Sequence, residues 1–224
     1  MNLKMFKAVL AGLIMFVSSL TAHAGLIYQA SEIKSSLGLY GSSWQPELAI
    51  DQSQLSHSYI DGVTDLDEFL ALNPTHGNTG NWSGTYFGRN ATGFIDFDLG
   101  KVVTIDTLLY WGVGGADPLQ NIKGITLFAD DDGDFGDAVS IGDYEISYNE
   151  SDGSAVGVDT VKFSTVSTRY IRMQVNSDWG RGRSTVSEIA FAQSNSTFVN
   201  VPEPSTFAIF ALGILGLASR KIRK

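Results

Sequence analysis

The stretch Phe94–Gly115, FIDFDLGKVVTIDTLLYWGVGG, constrains the fold more than any other part of the chain. Ile95, Phe97 and Leu99 alternate with Asp96 and Asp98, the period-two pattern of a strand with one buried face. Gly100-Lys101 is expected to turn the chain into a second run, Val102, Val103, Ile105, Leu108, Leu109, Tyr110 and Trp111. These are β-branched, aliphatic and aromatic residues suited to a pleated surface. Two neighbouring strands of an all-β core are predicted.

Further strands are predicted at Ile122–Phe128, Asp143–Tyr148, Thr160–Phe163 and Arg169–Val175, the last with Tyr170, Arg172 and Gln174 alternating against Ile171, Met173 and Val175. Between them lie long glycine-rich stretches. Gln52–Gly93 reads as surface loop, with a short helical turn at Asp65–Leu70. It carries Trp82, Tyr86 and Phe87, aromatics that either stack on the apolar face of a sugar or plug one end of the core. Asn176–Ser184 holds Trp179, Arg181 and Arg183; this pairing suits a carboxylate-bearing or hydroxyl-rich ligand, or else a salt bridge to a nearby acid.

Five aspartates fall within Asp130–Asp137. Asp130, Asp132 and Asp134 have the every-other-residue spacing of a calcium loop, but Phe135 stands where glycine is needed and no glutamate occupies the twelfth position. The readings are a Ca²⁺ site or a solvated Asp132-Gly133 hairpin turn.

Charge narrows the partners. Residues 25–204 carry all 24 Asp and Glu but 9 of the 15 Lys and Arg, a formal charge of −15. Such a surface repels phosphate backbones and gains nothing from anionic lipid, so nucleic-acid binding and peripheral membrane adsorption are not expected. There is no cysteine, which removes disulfides and thiolate chemistry.

FIDFDLG, the hydrophobic strand and WG that follow it, STRYIRMQV (167–175), STVSEIAFA (184–192) and the entry segment Trp44–Asp51 together resemble the discoidin, or coagulation-factor C-type, family of galactose-binding-like domains. The resemblance runs from about Ala30 to about Gln193. It implies an all-β fold, a discoidin-like antiparallel β-sandwich of jelly-roll type. By the same resemblance Asp51 and Glu188 would hold a structural Ca²⁺, although Gln52 replaces the glycine usual after that aspartate. Loops around Trp82, Tyr86, Trp111 and Trp179, with Arg181, would form a carbohydrate-contacting surface.

The two ends read differently from the middle. Residues 1–24 have Lys4 and Lys7, the apolar run Ala8–Val17 and a small-x-small site ending at Ala24, the order of a secretory signal peptide. Residues 194–200 read as a polar linker. Residues 201–224 hold Pro202, Glu203 and Pro204, an apolar run Phe207–Ala218 expected to be helical, and a basic end. This order resembles the PEP-CTERM sorting signal of Gram-negative bacteria. It implies processing near the motif by an exosortase, with only transient contact with the membrane, and delivery to the cell surface or matrix. Ala24, Pro202, Glu203 and Pro204 are then processing residues.

No enzyme site assembles from the sequence. Outside the leader the histidines are His57 and His76, no Gly-x-Ser-x-Gly precedes a helix, and no zinc-ligand spacing is present. The sequence therefore points to a secreted, non-enzymatic domain at 25–193 that binds glycan, the cell's own exopolysaccharide, or else to an adhesive matrix protein without a discrete pocket.

Overall fold

A computed structural model describes residues 25–77, 83–114, 118–148 and 155–194. The strands in chain order are β1 (Ile27–Tyr28), β2 (Glu32–Ser35), β3 (Thr75–His76), β4 (Tyr86–Phe87), β5 (Gly93–Trp111), β6 (Ile122–Asp130), β7 (Val139–Glu145), β8 (Val156–Gly157), β9 (Asp159–Asp178), β10 (Thr185–Val186) and β11 (Glu188–Ala192). All strand pairs are antiparallel, and the main sheet runs β1-β11-β5-β9-β6-β7 with β2 also on β5.

The two strands predicted around Gly100 are one. Gly93–Trp111 pairs with β9 along its whole length, Gly93 opposite Val175 and Tyr110 opposite Asp159, with the register shifting between Asp98 and Val103. Gly100 sits at φ +74°, and its N–H donates to Asp98 Oδ1 at 2.7 Å. A hairpin there would pair the two runs with each other. Instead the irregularity bends a continuous ribbon, as happens where strands pass from one layer of a sandwich to the other. The first arm of β5 carries β2 and the second carries β11. Phe97 of the first arm meets Phe191 of β11 edge to face, ring centroids 5.2 Å apart, inside one core cluster. Thr160–Phe163 and Arg169–Val175 are likewise parts of the single strand β9. Within it Ile171, Met173 and Val175 are buried and Tyr170, Arg172 and Gln174 half-buried, as their alternation predicts. The outward arginines take carboxylates across the ladder, Arg172 on Asp96 at 2.6 Å and Arg169 on Asp98 at 2.8 Å, each with a second guanidinium bond.

Residues 52–77 and 83–92 are not simply surface loop. They supply Tyr59, Leu66 and Phe69 to a second core cluster with Ile27, Leu109, Trp111, Ala190 and Ala192, which covers the outer face of β5 and β11. This second layer explains why β5 is buried on both faces from Ile105 to Trp111. The helical turn is a short helix, Leu66–Ala71, capped by Asp65 accepting the Glu68 N–H at 2.7 Å. Among the described residues no helix is long and apolar enough to cross a membrane.

Candidate functional site

Three segments meet at one end of the sandwich. Tyr40 N–H donates to Phe87 O (3.0 Å), Asn90 N–H to Leu37 O (3.0 Å) and Gly88 N–H to Ser184 O (2.8 Å), tying 37–44, 84–91 and 178–187 together through their main chains. Their aromatic side chains cluster. Tyr40, Trp44 and Phe87 have pairwise ring-centroid separations of 4.9–5.8 Å at tilted angles. The Arg183 guanidinium lies over Tyr40 at 4.5 Å and Phe87 at 5.8 Å. Trp44 crosses its own turn; a Cβ at Gly41 would come 2.9 Å from its ring. Phe87 is buried while Tyr40 is 47% exposed, so the cluster is rooted in the core and open at its rim. The Arg183 loop is set from below, because Asp178 Oδ2 accepts the N–H groups of Gly182 and Arg183. Such a surface offers ring faces for the C–H side of a sugar and planar donors for its oxygens.

On the other flank of the same loop Trp179 packs edge to face on Tyr148 (5.0 Å), with Lys123 Nζ 4.6 Å over its indole. Trp179 is half-buried, and its Nε1 is buried without a hydrogen-bond partner among the described residues. Arg181 is exposed and anchored by its N–H to Leu119 O at 3.3 Å. Two of the residues expected at the ligand surface lie elsewhere. Tyr86 is fully buried, its hydroxyl donating to Ser35 Oγ (2.8 Å) and Gly38 O (3.0 Å). Trp111 is also fully buried, edge-on to Phe69 and bonded through Nε1 to Pro74 O at 3.2 Å. Neither ring can stack on a sugar in this structure; both are core. Trp82 lies outside the described residues, as do Ala24, Pro202, Glu203 and Pro204 with the leader and tail.

Tyr40 and Trp44 were not singled out as contact residues by sequence, and Phe87 and Arg183, noted in their own loops, were not joined to them. The available signal was a Gly- and Ser-rich turn, 38–43, with aromatics at both ends. What joins it to Arg183 is a long-range contact.

A second constellation lies where β11 begins. Glu188 is fully buried; Oε2 accepts the Gln52 N–H at 3.0 Å and Oε1 the Tyr59 hydroxyl at 3.3 Å. Burial pushes its carboxyl up to about 8, and the charge of nearby Asp51 adds to this. Burial and the same carboxylate raise Tyr59 as well. Gln52 adopts φ +57° despite its side chain, so the turn that glycine would make is present without it. Asp51 is exposed and Oδ1 accepts the Ser53 N–H at 2.8 Å, while the buried Ser53 Oγ has no partner among the described residues. Asp51 and Glu188, the two carboxylates that the resemblance nominates for Ca²⁺, lie close enough for the charge of one to raise the other.

The aspartate loop brings one carboxylate oxygen each of Asp130, Asp132 and Asp134 within 4.8 Å of one another. All three serve the β6–β7 turn. Asp130 Oδ2 accepts from Gly133 (2.6 Å) and Phe135 (3.2 Å), Asp132 Oδ1 from Asp134 (3.0 Å), and Asp134 Oδ1 from Gly136 (2.7 Å). Burial works against the Asp130 charge, yet these N–H groups hold its carboxyl below the usual range.

Residues 30–189 match the F5/8 type C domain, and the chain belongs to that family. Residues 200–224 match the PEP-CTERM protein-sorting motif, which implies a secreted, exosortase-processed protein of a Gram-negative bacterium. No curated protein matches the chain. Among solved structures it is similar to the chain with the CBM32-1, CBM32-2 and M60 catalytic domains of Clostridium perfringens ZmpB, at 15% identity and TM-score 0.50. A second is truncated AlyQ with CBM32 and alginate lyase domains, also 15% and 0.50. These alignments cover 74% and 78% of this chain but 14% and 35% of the longer chains, and at that identity they show the fold alone.

Proposed function

We propose that this protein binds carbohydrate through the Tyr40, Trp44 and Arg183 face, with Trp179 and Arg181 on its flank, and that it is held in exopolysaccharide at the cell surface or in the matrix. The observation that carries the reading is the exposed aromatic cluster crossed by a guanidinium, at the end of the sandwich where three loops are tied together. The CBM32 designation of similar folds and the sorting motif support it. Ca²⁺ at Asp51 and Glu188 would fix the 50–59 segment against β11 and so steady the covering layer, without itself touching the sugar.

The test is retention of the full-length protein on a panel of purified polysaccharides, compared with Tyr40→Ala and Trp44→Ala. Wild type should be retained and both variants should elute early. Equal retention of all three removes the basis for this face. Retention on none of the panel favours an adhesive matrix protein that binds other proteins.

A further inference from the structure

Arginine and lysine are scarce over residues 25–204, where 9 of them face 24 acids, so each should find a carboxylate easily. Arg169, Arg172, Lys101 and Lys123 do, with Asp98, Asp96, Asp61 and Glu145. Arg183 makes no ion pair with any described residue; its guanidinium lies over Tyr40 and Phe87. Asp178, the acid nearest in sequence, is turned to main-chain N–H groups of the same loop. Arg89 is exposed and also has no ion pair among the described residues. It stands on the same rim, its Cβ 3.6 Å from where a Cβ on Gly38 would lie.

Holding cations unpaired on a rim of so acidic a domain does little for a neutral sugar, whose hydroxyls are served equally well by amides. It does serve an anion. A stacked guanidinium keeps its N–H edges free, and that planar fork matches a carboxylate bidentately. Long-range repulsion from the acidic body is screened over about 8 Å at physiological salt, so local charge decides. We infer that the glycan bound at this face is anionic, its sugar carboxylate or sulfate taken by Arg183 with Arg89 beside it. This rests on the glycan-binding reading above and narrows it to a ligand class.

The experiment measures affinity of the full-length protein for polygalacturonate and its carboxyl-reduced counterpart, and for a sulfated galactan and its desulfated form. At least one charged polymer should bind about tenfold more tightly than its neutral twin, and that margin should shrink as salt rises. Which pair shows the margin identifies the anion. Arg183→Ala should bring the charged polymer to the level of its twin, and Arg89→Ala should weaken it roughly threefold. Arg183→Lys should restore part of the salt-dependent margin but little of any carboxylate preference, because the fork is gone. The melting curve of each variant checks folding, and Arg89→Ala, an exposed change, carries the test should Arg183→Ala not fold. Equal binding of charged and neutral twins overturns this inference and leaves the glycan reading intact. Binding to none of the four, with neutral polysaccharides of the wider panel still retained, overturns it too; no binding to any polysaccharide sinks both.

Discussion

The hydroxyl of Tyr59 donates to Glu188 Oε1 at 3.3 Å in a place from which solvent is fully excluded for Glu188. An acid so placed has to stay protonated or share its charge with a cation, and the charge of Asp51 close by disfavours the unshared ionised form further. If Ca²⁺ takes that charge, a free concentration a hundred times its Kd stabilises the fold by about 2.7 kcal/mol. For a domain of this size that raises Tm by roughly 5–10 °C over chelator. Glu188→Gln should abolish the difference between the two conditions. Superimposable wild-type melts with calcium and with chelator would end the metal proposal.

Tyr40→Ala and Trp111→Ala should separate binding from stability. Tyr40 is 47% exposed, so truncation should cost little stability while weakening glycan binding by about tenfold, in the range found for aromatic stacking contacts. Trp111 has no exposed surface and bonds Pro74, so its loss should destabilise by about 3–5 kcal/mol. Chemical denaturation and a binding titration on the two variants give both readings. A Tyr40→Ala protein that melts like Trp111→Ala would make Tyr40 a core residue.

The Arg169 pair at Asp98 sets a pH limit. The guanidinium bonds hold the Asp98 carboxyl below its ordinary value, so the stabilisation is complete above the unfolded pKa near 4 and is lost as pH falls through the lower folded value. Arg169 is 40% exposed at its side chain, so solvent screening keeps the effect small. Asp98→Asn should lower stability at pH 7 slightly and flatten its fall as pH drops below the unfolded value. An unchanged acid limb in the variant would place the titration on another group.

A change at Gly88 should be felt through packing. A Cβ there would lie 2.9 Å from both Leu37 Cβ and the Ser184 carbonyl, and the latter belongs to main chain that cannot give way. Gly88→Ala should therefore lower stability by about 1–3 kcal/mol and loosen the loop end, reducing glycan retention as well. Proteolytic nicking within 178–187 would report the loosening, and wild-type resistance would argue that the loops are held by other contacts.

The strand alternation of Ile95, Phe97 and Leu99 and of Ile171, Met173 and Val175 was legible because period two survives whatever the sheet does next. The bend at Gly100 was not, since a glycine after a strand reads equally as a hairpin turn, and only pairing with β9 distinguishes them. Tyr86 and Trp111 were misplaced for a related reason. Tyr86 stands among glycines and Trp111 at the mouth of a glycine loop, but a second layer from 52–77 covers Trp111 and the β2 segment takes the Tyr86 hydroxyl. Glu188 and Asp51 were nominated by resemblance alone; the structure shows one buried beside the charge of the other. The Tyr40, Trp44, Phe87 and Arg183 cluster draws on three distant segments, and no local spacing announces it.

Glycan is proposed to lie on that cluster. Hydrogen–deuterium exchange of the full-length protein, with and without a retained polysaccharide, tests it directly. Protection is expected in the loops 38–46 and 178–187, with the β6–β7 turn unchanged. Protection confined to the turn, or to the face of β7, would move the site to another surface and leave the cluster without a role in binding.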